Sequence, residues 1–513
     1  MFPRAFTFCI LFAGVSPIAS ASALGSAPLS YDDARHLLNR TGFGATSSEI
    51  ERYVGMSREQ AARKLLDGAR TTALTPPPAW TAEVGPLRYP RPGDNASQME
   101  RKLFQQEQVR EGLELRGWWL SEMLATPSPL TERMTLFWHN HFVSSQQKVK
   151  LALLMYRQNV TLRAHALGNF GDLLHAVARD PAMVIYLDSA QNRKGTPNEN
   201  FAREVMELFT LGEGRYAEQD IKEAARAFTG WSIDRDSGRF MFRPFIHDDG
   251  VKTVLGKSGN FDGDEVLDIL LAQPATAEFV VRKLWREFVS PDPDEQEVSR
   301  IARRFRDTRY DIEVALNDIF TSDAFYAKQS RASLVKSPID LVVGTLRQFN
   351  MAPSEPTPFA VAVAGMGQNL FSPPNVKGWP GQETWINTSS LLARKQFLER
   401  LFRGDDPSRM AVLPRTERMV PEMPRQALQQ GELDPEKARQ IRFMRAMERG
   451  MQSVQFDSAK WMSQVSSAPD PARRAADAER VLLATAPQAE PDAPGDPLAL
   501  VRSLVLDAAY QLK

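Results

Sequence analysis

Apolar residues recur along most of the chain at intervals of three and four, the spacing that puts them on one face of an α-helix. Residues 198–212 show it most clearly. At about 100° per residue, Phe201, Val205, Leu208 and Phe209 share one arc, and Asn200, Arg203, Glu204 and Glu207 share the opposite one. Helix punctuation agrees with the periodicity. Asp32 and Asp33 precede a helical run that Gly42 can close in the left-handed conformation, and Gly212 can close the 198–212 helix. Thr46 with Glu49, Ser57 with Gln60 and Ser97 with Glu100 have capping-box spacing. Ser128-Pro129, Asp180-Pro181 and Ser337-Pro338 each read as an N-cap followed by proline at the first helical position. Helical periodicity continues over 149–178, 264–320, 339–349, 357–368 and 388–402. A period-two pattern with a turn at Asp236-Ser237-Gly238 occurs only near 231–256. The expected fold is all-α: a large multi-helix domain over 30–402 with one small β-hairpin insertion near 231–256. Residues 403–513 are expected to form a C-terminal helical extension with Pro-rich linkers, a charged helix at 435–452 and a last helix at 498–512.

Composition narrows the class. The chain has 513 residues, with 63 Lys and Arg balanced by 63 Asp and Glu. Zero net charge argues against a nucleic-acid or anionic-surface partner recruited by bulk charge, so no nucleic acid is expected. Beyond the N-terminus no apolar run is long enough to cross a bilayer, so no transmembrane span is expected in the mature chain. Residues 1–23 read as a signal peptide: Arg4, the apolar stretch 5–15, then the small-residue cleavage sites Ala19-Ser20-Ala21 and Ala21-Ser22-Ala23. The mature protein is therefore expected to be periplasmic or secreted. The one cysteine, Cys9, falls in that signal, which leaves no disulfide, thiolate metal site or cysteine nucleophile downstream.

Several polar groups could carry chemistry. His139 and His141, two residues apart, are candidate metal ligands. On an intact helix their rings point about 200° apart, so they could share one ion only if the helix ends there. Glu204 and Glu207 are candidate catalytic carboxylates, although Arg203 equally permits an ion-pair network that fixes packing. Asn200 and Arg203 could bind substrate. His247 with Asp248 could act as an oriented base, or Asp248-Asp249-Gly250 could simply be a turn. Lys377 and Trp379, on the Pro/Gly-rich loop 372–381, could contact an anionic group and stack on a sugar ring; Trp379 could instead plug the core. No P-loop, dinucleotide fingerprint, HExxH or GxSxG pattern is present.

These motifs together resemble the bacterial domain-of-unknown-function 1800 family. The resemblance rests on Leu136-Phe137-Trp138-His139-Asn140-His141-Phe142, on 198–212, on Ala224-Ala225-Arg226-Ala227-Phe228-Thr229-Gly230-Trp231, on His247-Asp248-Asp249-Gly250-Val251-Lys252-Thr253, and on Pro373-Pro374-Asn375-Val376-Lys377-Gly378-Trp379-Pro380-Gly381. The run 35–44 is similar to the family's start. Asp249 stands where a proline is usual and Gln382 where a second glycine is usual. The resemblance implies an exported all-α protein and no assigned activity. It also implies a co-exported enzyme as a partner, since members are often encoded beside a sulfatase- or phosphatase-like exported family. Two readings stay open. One is a hydrolase or lyase of a polysaccharide or other envelope or extracellular polymer, with a divalent metal as its candidate cofactor. The alternative is a non-catalytic envelope scaffold that binds a partner.

Overall fold

A computed structural model describes residues 27–82, 97–234, 236–403, 449–451, 453–491 and 493–513. The expected signal at 1–23 with Cys9, the prolines at 86, 90 and 92, the stretch 405–425 and nearly all of the charged helix expected at 435–452 lie outside the described residues.

The protein is all-α with a small β portion. The capping boxes form as spaced: Thr46, Ser57 and Ser97 each accept from the backbone three residues on while Glu49, Gln60 and Glu100 reach back. Pro129, Pro181 and Pro338 occupy the first turns of their helices. Two boundaries differ from expectation. The first helix, Tyr31–Thr41, is capped by Ser30, with Asp33 as the third residue of its box. Gly42 is extended (φ −133°) and not left-handed. It is needed for proximity, since a Cβ there would sit 3.0 Å from Cβ of Pro129. The 149–178 stretch is also broken, into helices Ala152–Ala164 and Phe170–Ala178, the second capped by Asn169.

The β region holds two antiparallel ribbons, one more than the expected hairpin. Trp231 pairs with Phe242 and Ile233 with Phe240 in the first; Lys252 pairs with Gly259 and Val254 with Lys257 in the second. The second turns on Leu255 and Gly256, both at positive φ. A leucine gives no turn signal in sequence, which hid this ribbon.

One continuous apolar cluster runs from Leu29 to Tyr510 and includes Trp119, Trp138, Phe201, Trp285 and Phe359. Residues beyond 402 belong to it. Trp461 is buried and donates its indole N–H to the carbonyl of Gln348 at 2.8 Å, and the Tyr510 hydroxyl meets Thr345 at 2.9 Å. Among the described residues no helix is long and apolar enough to cross a membrane.

Candidate functional site

The helix Pro129–His141 runs through the core, and its two histidines face different aromatic surroundings. His139 is 1% exposed and lies against Trp119, Phe371 and Trp379, with ring centroids 5.5–5.7 Å away. Its Nε2 has no hydrogen-bond partner. Burial alone pushes its pKa down to about 3, so it is neutral. His141 lies among Trp138, Phe142, Phe170 and Phe209, and its Nε2 donates to the Phe209 carbonyl at 3.1 Å. Burial, then the charge of Lys283, holds it well below its ordinary value. The helix stays regular through both residues, so the rings diverge as helical geometry requires. Among the described residues no three His, Cys, Asp or Glu side chains are grouped as a metal site. The structure thus does not bring His139 and His141 together around one ion.

Asn140, between them, has a clear task. Its Oδ1 accepts from Trp379 N at 2.7 Å and its Nδ2 donates to Trp379 O at 3.2 Å. This clamp pins the 372–381 loop to the helix. Gly378 (φ +80°) passes so close that a Cβ would lie 2.2 Å from Asn140 Oδ1. Trp379 is 5% exposed and packs on His139, so its ring is part of the core.

Residues 198–212 begin as an α-helix, Asn200–Glu204, and continue as a π-helical turn, Val205–Thr210. Thr210 Oγ1 donates to Val205 O at 2.6 Å and Leu211 N to Met206 O at 2.8 Å, both five residues back. Such turns recur at functional positions because they re-aim side chains within a helix. Phe201, Val205 and Phe209 are buried, while Asn200, Arg203, Glu204 and Glu207 reach solvent. Arg203 is consumed by a fork onto Glu218 (2.5 and 3.1 Å) and a contact with Glu199 at 3.3 Å. Asn200 Nδ2 donates to Asp188 at 3.3 Å, and Asp188 also pairs with Lys148 at 2.7 Å. Lys377 pairs with Glu213 at 2.8 Å.

Glu204 and Glu207 are what remains. Tyr216 donates its hydroxyl to Glu207 Oε2 at 2.5 Å. Glu204 has no hydrogen bond or ion pair among the described residues. Its half-buried carboxyl is raised above the usual range by burial and then by the charge of Glu207; Arg203 and Lys377 oppose this. Tyr216 and Glu213 are absent from the sequence-based candidates. The signal that could have found them is the pair of positive-φ glycines, Gly212 and Gly214, which turn the chain back over the helix.

His247 and Asp248 lie elsewhere, bound into the β region. His247 Nδ1 meets Thr229 O at 2.8 Å. Asp248 accepts a fork from Arg226 (2.8 and 3.1 Å) and the Gly250 N–H at 2.9 Å. The Arg226 hydrogen bond leads the causes that lower its pKa to about 2. Arg226 also bonds Glu223 and the Val251 carbonyl. These contacts are those of a braced turn.

A second polar centre was not legible in the sequence. Arg133 and Lys513, both buried, meet Asp340, Lys513 at 2.8 Å, and Arg133 also reaches Glu287 at 3.4 Å. Burial alone would raise the Asp340 carboxyl, but Arg133 and Lys513 outweigh it and hold it far below the usual range. The group lines a half-enclosed cavity of about 80 Å³, together with Gln368, Trp379, Gln382 and Trp385.

No curated protein and no solved structure matches the chain. A family model matches residues 36–488, continuing through most of the region beyond 402. That match covers most of the molecule, including the histidine helix, the π-turn and the clamped loop, and the chain belongs to the family described as "Protein of unknown function (DUF1800)".

Proposed function

We propose that this is an exported hydrolase or lyase acting on an envelope or extracellular polymer, with Glu204 and Glu207 as its acid–base pair. The observation that carries the reading is the unpartnered Glu204 carboxyl, raised by burial and by Glu207, beside a Glu207 held by Tyr216. Two carboxyls in unequal environments are suited to dividing acid and base roles. In hydrolysis Glu204 would give its proton to the leaving oxygen, and Glu207 would take one from the attacking water. Export is inferred from the leader-like residues 1–23.

The test is turnover by the mature protein on purified envelope and extracellular polymers, read as release of new chain ends. Glu204→Gln and Glu207→Gln should each reduce it by at least about a hundredfold, the usual worth of a general acid or base, while the protein stays folded. Turnover unchanged in both variants would refute the assignment.

A second reading, a non-catalytic scaffold working with a co-exported enzyme, is favoured by the structural use of Asn140, Arg203, Arg226 and Asp248. A Glu204→Gln protein that fully restores the envelope of a deletion strain would support it over the enzyme.

A further inference from the structure

A second cavity, of about 550 Å³, lies where the helix Thr388–Leu401 meets the helix Pro497–Leu506 and the turn Ala508–Gln511. Leu391, Lys395 and Leu398 line it from one face of the first helix, at spacings of four and three. Val335, Ile386, Leu506 and Leu512 continue the wall, and no aromatic ring lines it. Leu391 and Ile386 remain 47% and 36% exposed, apolar surface that a ligand chain would cover. Small-molecule sites span roughly 300–1,000 Å³ and are mostly apolar with a few placed polar groups. A purely aliphatic wall offers no ring face for stacking and suits a flexible hydrocarbon chain.

The charges around it favour a negative head on that chain. Lys395 pairs with Glu399 only at 3.8 Å, too long for a hydrogen bond. Asp507, the one carboxylate in the lining, already accepts three backbone N–H groups, from Gln488 (2.9 Å), Ala489 (3.3 Å) and Ala509 (2.8 Å). Behind the wall Arg394 is fully buried, with no ion pair among the described residues. It donates to Gln511 Oε1 at 3.0 Å and to the Lys336 carbonyl at 2.9 Å, and its Nε has no partner. Gln511 lines the cavity, so one amide separates this guanidinium from it. Lys336 lies over the Tyr510 ring at 3.7 Å, also without an ion pair among the described residues. Burial pushes Lys336 down to about 7 and Arg394 down to about 10, with Asp340 opposing both from longer range. Cations held in this way gain from an anion brought close. We propose that this cavity binds a single-chain aliphatic carboxylate, a free fatty acid, with its chain along Leu391 and Leu398 and its carboxylate on Lys395. The site is separate from Glu204 and Glu207 and stands without the polymer-acting reading.

The test is calorimetry on the intact protein with laurate. Dodecanol lacks the charge, dodecyltrimethylammonium reverses it and acetate lacks the chain; phosphatidylglycerol vesicles offer the same chemistry as a lipid surface. Laurate is expected to bind one per chain and more tightly than any of the other four. Lys395→Glu reverses the charge at the head, and Leu391→Asp places a carboxylate on the chain wall. Each should weaken laurate binding by about fivefold or more, with a nearly unchanged melting temperature because both positions are exposed. No binding of laurate, equal or tighter binding of dodecanol or the cationic probe, preference for the vesicles, or unaltered affinity in both folded variants overturns the site. None of these results touches the assignment of Glu204 and Glu207, which is tested by turnover.

Discussion

Glu204 is a motif carboxyl with no hydrogen bond or ion pair among the described residues, raised by burial and by Glu207. Its folded pKa is raised, so its contribution to stability is fully present below the unfolded value, about 4.3, and is lost as pH rises through the folded value. Glu204→Gln should therefore raise the urea midpoint at pH 7.5 and leave it unchanged at pH 3.5. Gaining stability while losing turnover is the mark of a catalytic carboxyl; a structural one would lose stability. The Glu204–Glu207 face was legible in the sequence because helical spacing alone groups those residues. Tyr216 was not, since it reaches Glu207 from nine positions away only because the chain folds back. Nor could spacing choose between cavity and network for Arg203, whose partner Glu218 lies on the next helix.

At the scale of elements, the helix Pro129–His141 and the 372–381 loop act as one unit. Asn140→Ala strips two hydrogen bonds from the Trp379 backbone and should cost about 2–4 kcal/mol in urea unfolding. Gly378→Ala combines a left-handed φ with a Cβ 2.7 Å from the Asn140 carbonyl, and should cost about 3 kcal/mol or more. Circular dichroism on both variants, with urea, checks these values. Caps and prolines made most helices readable, since each is a local hydrogen-bond requirement that few residues meet. The π-turn at Val205–Thr210 was not readable. Five-back bonding uses the same apolar residues as an α-helix and alters the register only within one turn.

For the molecule as a whole, two buried features set stability. Arg133, Asp340 and Lys513 join segments 207 and 173 residues apart, a separation that no local pattern reveals. Lys513→Met should cost about 3 kcal/mol by leaving Asp340 short of a partner, and adding Asp340→Asn should return part of it, because an unpaired buried charge is worse than none. His36, His139 and His141 are all buried and held neutral, chiefly by burial. Their folded pKa values are depressed, so below about pH 6.5 the unfolded chain takes up protons that the fold refuses. For His139 stability should fall by about 1.4 kcal/mol per pH unit as pH drops from about 6 toward 4, and His36 and His141 act in the same direction. His139→Phe should remove its own part of that slope, about 1.4 kcal/mol per pH unit. An unchanged pH dependence of the urea midpoint in His139→Phe would contradict the burial of this ring.

A densely packed motif block thus leaves the half-buried Glu204 carboxyl without a hydrogen bond or ion pair among the described residues, its pKa raised by burial and by Glu207. The most direct measurement of this is a titration of the Glu204 side-chain carbon by ¹³C NMR in the intact protein, repeated in Glu207→Gln. The wild-type pKa is expected above the ordinary glutamate value, with a fall toward that value when the Glu207 charge is removed. A Glu204 that titrates at or below the ordinary value, or is indifferent to Glu207, would contradict its role as the proton-holding partner of the pair.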